Sequence, residues 1–206
     1  MGAVAGLAAC TPPRSESRPV NTRDTDAPGG GKGKVLLAYF SRAGENYWNG
    51  GRRTLTTGNT QVLAEQIAKR IDCDVLRIEA AEPYPESYNA TVARNVDEQN
   101  RDARPGIATE IPDLRNYDTI LLGSPIWNVR PPMILSTFLD TAQLPNTTTL
   151  LPFVTYAVSG LGDTLATYRG LAPQVSLGRG LAVRGEEVRD NTTSVERWLK
   201  DASLTA

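Results

Sequence analysis

The sequence predicts one doubly wound α/β domain running from about Lys34 to the C-terminus, on three observations. Short apolar runs rich in strand formers alternate along the chain with segments whose apolar residues recur at helical spacing, the order of a parallel sheet covered on both faces. The first run, Val35–Phe40 (VLLAYF), has no polar alternation, as a strand buried on both sides requires. A loop of hydroxyl residues and glycine precedes the first helix, and sheets of this class bind ligands beyond the carboxyl ends of their strands.

The remaining elements follow in order. Val62, Leu63, Ile67, Ala68 and Ile71 mark the first helix, with Asn59 or Thr60 as its N-cap. Asp74–Glu79 (DVLRIE) alternates as an edge strand does. Beyond the turn-like Pro83–Pro85, the spacing of Tyr88, Val92 and Val96 predicts a more polar helix running toward Asn100. Asp118–Gly123 (DTILLG) is the third strand, and Pro132–Leu139 a short helix after it. Leu150–Ala157 (LLPFVTYA) is the fourth strand, in which Pro152 favours an edge position or the strand start. A weakly marked helix lies near Thr164–Arg169, and Val175–Val183 holds one or two short strands broken by Gly178 and Gly180. The terminal helix opens on Thr193 and Glu196 as a capping box, with Val195, Trp198 and Leu199 as its apolar stripe.

A chain of 206 residues suits one core and an appendage. Thr11–Lys34 is rich in Pro, Gly, Ser, Thr and charge and offers almost nothing to a core, so residues 1–33 read as a disordered tail or leader and 34–206 as the domain. Met1–Cys10 (MGAVAGLAAC) is too short to cross a bilayer, which takes roughly 20 residues. Leu7-Ala8-Ala9-Cys10 resembles the bacterial lipoprotein signal, cut before a cysteine that then carries lipid, although no basic region precedes it. Two readings stand: a lipoprotein anchored to a membrane through Cys10, or a tail without function on a cytoplasmic protein.

Cys73 is the only other cysteine, so no disulfide framework is expected. The chain has no histidine, which removes His-based triads and His metal clusters, and no metal site is expected. With 22 basic and 23 acidic residues scattered along it, the net charge of -1 argues against a nucleic-acid partner.

Ser41-Arg42-Ala43-Gly44 follows the first strand, and Thr56-Thr57-Gly58-Asn59-Thr60 precedes the first helix. Between them lies an insertion, Glu45–Leu55, carrying Tyr47, Trp48, Arg52 and Arg53. If the insertion loops out, Ser41 and Thr57–Thr60 meet at a helix N-terminus, where free N–H groups and hydroxyls grip a phosphate. The same residues also suit a plain turn and N-cap. Neither the dinucleotide Gly-x-Gly-x-x-Gly pattern nor the triphosphate loop ending in Gly-Lys-Ser/Thr is present.

On these residues the chain resembles the flavodoxin family, whose Ser/Thr-x-Thr-Gly-x-Thr loop holds the phosphate of FMN without metal or lysine. Ser41, Thr57, Gly58 and Thr60 match that loop, and the insertion splits it after Ser41. Gly123-Ser124-Pro125-Ile126-Trp127-Asn128 resembles the loop that lays an aromatic ring against the flavin, and Thr155–Gly162 the loop that wraps the flavin edge. The resemblance implies a flavodoxin-like three-layer α/β/α sandwich with a five-stranded parallel sheet in the order 2-1-3-4-5, and FMN as cofactor. The site residues it implies are Ser41, Arg42, Thr57, Gly58, Asn59 and Thr60 at the phosphate end. At the ring they are Pro125, Ile126, Trp127 and Asn128, then Tyr156, Ser159, Gly160 and Gly162. Trp127 would stack on the ring, although a tryptophan after a strand also packs under a loop. Tyr156, or Tyr47 or Trp48 of the insertion, stands as the second wall.

The function implied is flavin redox chemistry, in which the cofactor carries the reaction and no side-chain nucleophile is needed. A pure electron carrier of this family is usually strongly acidic, and a net charge of -1 steers a basic partner little. The insertion favours an oxidoreductase reducing a small acceptor such as a quinone, with NAD(P)H or a redox protein as donor. The alternatives are a pure carrier and a flavin-free interaction module. Arg52, Arg53, Asp163, Glu186 and Glu187 read as solvated surface, and the oligomeric state is open.

Overall fold

The computed structural model describes residues 1–2 and 33–205, and backbone contacts join residues 33–205 into one unit. Leu7–Cys10 and the linker up to residue 32 lie outside the described residues. Among the described residues, no helix is long and apolar enough to cross a membrane.

The central strand β1 (Val35–Phe40) is buried along its whole length and pairs in parallel with β4 (Asp74–Ile78) on one side and β5 (Thr119–Pro125) on the other. Next to β5 lies β6 (Thr149–Tyr156), and the last place is shared by two short strands, β7 (Ser176–Leu177) and β8 (Leu181–Arg184). The order β4-β1-β5-β6 followed by β7 and β8 is the expected 2-1-3-4-5 once the insertion is set aside. The insertion forms a separate antiparallel hairpin, β2 (Gly44–Trp48) and β3 (Gly51–Leu55), turning at Asn49 and Gly50.

Helices cover both faces. Leu36, Ala38, Phe40, Ile120 and Leu122 pack with α3 (Met133–Thr141) and with Tyr168 of α4 (Thr164–Leu171). Leu37, Tyr39, Leu121 and Phe153 pack with α1 (Asn59–Ala68) and α5 (Thr192–Asp201). The inner strands β1, β5 and β6 alternate between two cores, whereas the edge strand β4 stays largely exposed.

Pro152 sits inside β6, neither at an edge nor at the strand start. It is tolerated because the far side of β6 is broken there: Thr149 and Leu150 pair with β7, Phe153–Tyr156 pair with β8, and the break at Gly178–Gly180 lies opposite. A residue without an N–H suits the stretch that has no ladder partner. Trp198 of α5 closes the break, its indole N–H donating to the Arg179 carbonyl at 2.8 Å.

The second helix, α2 (Tyr88–Asn100), forms where the spacing predicts it but buries a different stripe. Val92 and Val96 are 41% and 38% exposed, and the buried residues are Thr91, Asn95 and Glu98. These polar groups recur at the same helical spacing and have partners: Thr91 donates to the Pro85 carbonyl, and Glu98 accepts from Tyr84 and Arg94. Two N-terminal expectations also shift. The N-cap of α1 is Gly58, with neither Asn59 nor Thr60 in that role. The N-cap of α5 is Asn191, and Glu196 pairs with Arg70 at 3.3 Å where a capping box would have turned it back.

Trp198→Phe removes the donor at the sheet break. It should lower stability by about 0.5–1.5 kcal/mol, the net worth of a hydrogen bond whose acceptor on the exposed Arg179 can turn to water, in urea unfolding followed by circular dichroism.

Candidate functional site

The carboxyl ends of β1, β5 and β6 converge on a cleft of about 290 Å³. One end of it is the start of α1. Gly58 lies so close to the preceding loop that a Cβ would stand 2.4 Å from both the Ser41 hydroxyl and the Arg42 carbonyl, so only glycine lets the helix start here. Ser41 Oγ accepts the Gln61 N–H at 3.0 Å, and Val62 donates to the Gly58 carbonyl. The N–H groups of Asn59 and Thr60, at the very start of the helix, have no intrahelical acceptor. The Thr60 hydroxyl is buried against that of Thr155 at 2.7 Å, which ties α1 to the end of β6.

Trp127 lies at the other end of the cleft. Its ring meets Phe40 at 5.7 Å and Tyr84 at 5.1 Å, with ring planes close to perpendicular. It is thus both a wall of the cleft and a cover of the core, and the two sequence readings of this residue coexist. Tyr84 donates to Glu98 at 2.8 Å, Arg94 donates to the other Glu98 oxygen at 2.7 Å, and the Arg94 guanidinium lies 4.0 Å from the centre of the Tyr84 ring. Burial, reinforced by the Glu98 carboxylate, pushes the Tyr84 pKa far up, so its hydroxyl remains a donor. A closed ionic cluster therefore lies beneath the aromatic wall.

The loop carrying Trp127 is tight. Trp127 and Arg130 exchange backbone hydrogen bonds, and Asn128 and Val129 take left-handed φ values of 49° and 62°. For a β-branched residue such as Val129 this conformation costs on the order of 1–3 kcal/mol and persists only where neighbours over-determine it. Here they do. The Asp163 N–H donates to the Val129 carbonyl at 2.7 Å, and Gly162 is pressed so close that a Cβ would stand 2.0 Å from that oxygen. Gln99 holds the same loop through the Trp127 carbonyl and the Asn128 amide.

The insertion forms a third wall, with Asn46 and Tyr47 lining the cleft. Its base is fixed to the start of α2: the Glu45 N–H donates to the Glu86 carbonyl, and the Glu45 carboxylate accepts the Tyr88 N–H at 2.9 Å. Arg42 reaches the carbonyls of Pro85, Glu86 and Glu45. Burial lowers the Arg42 pKa, with Glu45 and Glu86 opposing the shift. Arg52 lies 3.5 Å over the Tyr88 ring and Arg53 4.5 Å over Trp48, so both basic residues serve the hairpin.

Of the residues expected at the site, the structure brings Ser41, Arg42, Asn59, Thr60, Pro125, Ile126, Trp127, Asn128 and Tyr156 together around the cleft. Gly58 stands behind them as the joint. Thr57 lines a separate shallow depression with Glu65, Lys69 and Arg189. Ser159, Gly160 and Gly162 are outside the lining, and Gly162 supports the Trp127 loop from behind. Sequence reading placed Thr155 in the flavin-edge loop but missed Asn46, then Tyr88, Thr91, Val92 and Asn95 of α2, together with Gly185 and Glu186. Only the exposed apolar pair Val92 and Val96 held a signal, and it read as an ordinary helix stripe.

A doubly wound sheet with an open helix N-terminus and an aromatic wall over its carboxyl ends defines a binding protein of the flavodoxin class. The family model described as flavodoxin matches residues 52–202, and the chain belongs to that family. A flavoprotein structure from Bacteroides eggerthii is 25% identical with a TM-score of 0.68, over 84% of this chain and 100% of that one. One from Bacteroides uniformis is 26% identical with a TM-score of 0.66, over 82% and 98%. A flavoprotein in complex with FMN from Lactobacillus acidophilus is 25% identical with a TM-score of 0.57, over 79% and 99%. No curated protein matches the chain.

Glu98→Gln breaks the ionic cluster below Trp127 while keeping its volume. It should cost about 1–3 kcal/mol in chemical unfolding and shift the tryptophan emission, because Tyr84 and Arg94 lose a charged acceptor.

Proposed function

We propose that the protein binds FMN in this cleft and passes electrons through it to a small acceptor such as a quinone, with NAD(P)H or a redox protein as donor. The observation that carries this reading is the open start of α1, with Ser41, Asn59 and Thr60, in the same cleft as Trp127. A dianionic phosphate is favoured at a helix N-terminus by the unpaired N–H groups and the helix dipole, with no cation needed. Trp127 offers a wide apolar surface to the ring. Bound FMN supplies the redox chemistry, and the chain binds, orients and shields it. The FMN complex of the Lactobacillus acidophilus relative supports the choice of cofactor.

The insertion favours an enzyme over a pure carrier. Tyr47 and Tyr88 place aromatic surface at the cleft, where a flat acceptor would approach. A carrier remains the second reading, favoured by the exposed Val129 and Val158 in the loops after β5 and β6, which suit a protein partner. Lipid on Cys10 would hold the same domain at a membrane surface, and mass spectrometry of the N-terminal peptide from the membrane fraction checks it.

Thr60→Ala should weaken FMN by about tenfold more than riboflavin, since a hydrogen bond to a charged group is worth about 1.5–3 kcal/mol. Fluorescence titration with both flavins measures this, and equal weakening removes the phosphate assignment. Replacing residues 46–54 by a short Gly-Ser link, which keeps Glu45 on α2, should retain FMN and change how fast soluble quinones reoxidise the reduced flavin. Rates that stay the same across several quinone sizes, in stopped-flow at matched occupancy, count against an access role for the hairpin.

A further inference from the structure

Glu186 reads in the sequence as a solvated acid, yet it belongs to the cleft. It lies in the turn Gly185–Glu187 directly after β8 and lines the cavity with Asn59 and Tyr47. Its backbone is held in place: Gly185 is buried, and a Cβ there would stand 2.4 Å from the Asn59 side-chain nitrogen. The carboxylate is held as well, because Oε1 accepts the Asn49 N–H from the tip of the hairpin at 2.9 Å.

The second oxygen is the unusual one. Glu186 Oε2 is buried and has no hydrogen-bond partner. Arg42 is committed to three backbone carbonyls, and Arg52 and Arg53 lie over aromatic rings of the hairpin region. A buried carboxylate oxygen left unmet is costly, and a ligand that brings a donor to it gains what the apoprotein forgoes. The donor has to be an N–H or O–H group. A phosphate offers none as a dianion and would be repelled.

We infer that Glu186 is a binding residue for the polyhydroxy chain of the flavin cofactor, with Oε2 accepting a hydroxyl proton while Oε1 holds the hairpin tip. This rests on the FMN reading above. One carboxylate then serves ligand and hairpin together, so occupancy of the cleft and closure of the hairpin reinforce each other.

The test uses three flavins that differ in one part each: FMN, riboflavin without the phosphate, and lumiflavin without the polyhydroxy chain. In Glu186→Gln the amide oxygen can keep the Asn49 N–H, and the amide nitrogen replaces the free acceptor. The expected result is about a tenfold loss of affinity for both FMN and riboflavin, with lumiflavin unchanged. Glu187→Gln, next door and exposed, should match the parent with all three. Tighter FMN with riboflavin unchanged would place Glu186 against the phosphate and overturn the inference. An equal change for all three flavins would show that it acts through the fold, and no change for any would show no role; either overturns it. A parent that binds none of the three removes the FMN reading itself, and this inference with it.

Discussion

The site depends on one close approach, the start of α1 against the end of β1. Because Gly58 has no side chain, the helix begins within hydrogen-bond reach of Ser41, and the Ser41 hydroxyl does for Gln61 what an N-cap side chain would otherwise do. The cap comes from the loop after β1, so Asn59 and Thr60 are released from that task. Thr60 bonds Thr155, which fastens the helix start to β6, and the Asn59 side chain packs closely against Gly185 of the turn after β8. Three of the walls around the cleft are thereby located relative to a single turn of helix.

The opposite wall is built by a different physical means. An aromatic ring beside solvent would turn easily if it lay on apolar side chains alone, which impose little direction. Trp127 instead rests on Tyr84, and Tyr84 is fixed by a directional bond to a carboxylate that is only 4% exposed. Such a buried charge is tolerable because Arg94 and Tyr84 both satisfy it. The polar stripe of α2 thus sets the position of the ring, and the strained turn at Asn128 and Val129, braced by Asp163 and Gly162, sets its loop.

Much of this was legible in the chain. Strand and helix order followed from periodicity, because a sheet buried on both faces demands continuous apolar runs such as VLLAYF and ILL. Periodicity failed where two stripes compete: α2 carries Tyr88, Val92 and Val96 on one line and Thr91, Asn95 and Glu98 on another, and only the tertiary partners decide which is buried. Pro152 misled because a proline rule for regular ladders does not anticipate a partner strand broken at the same place. The core of the site came from loop chemistry at strand ends, whereas Glu186 and Tyr88 arrive from elements distant in sequence, with nothing local to mark them.

The insertion is also better understood from its anchors than from its composition. Glu45 and Arg42 join its base to the loop before α2 and to α2 itself through backbone groups and charge-assisted bonds, each worth about 1.5–3 kcal/mol where a charge takes part. Toward its tip it is held by the Asn49 N–H on Glu186 and by Arg52 over the Tyr88 ring of α2. Both ends of the hairpin thus bear on α2 or on the turn after β8, and Tyr47, opposite Arg52 in the hairpin, is held at the cleft by the same contacts. The inserted hairpin is thereby a wall of the cleft that is built on α2 and on the turn after β8, and not on the strands of the central sheet.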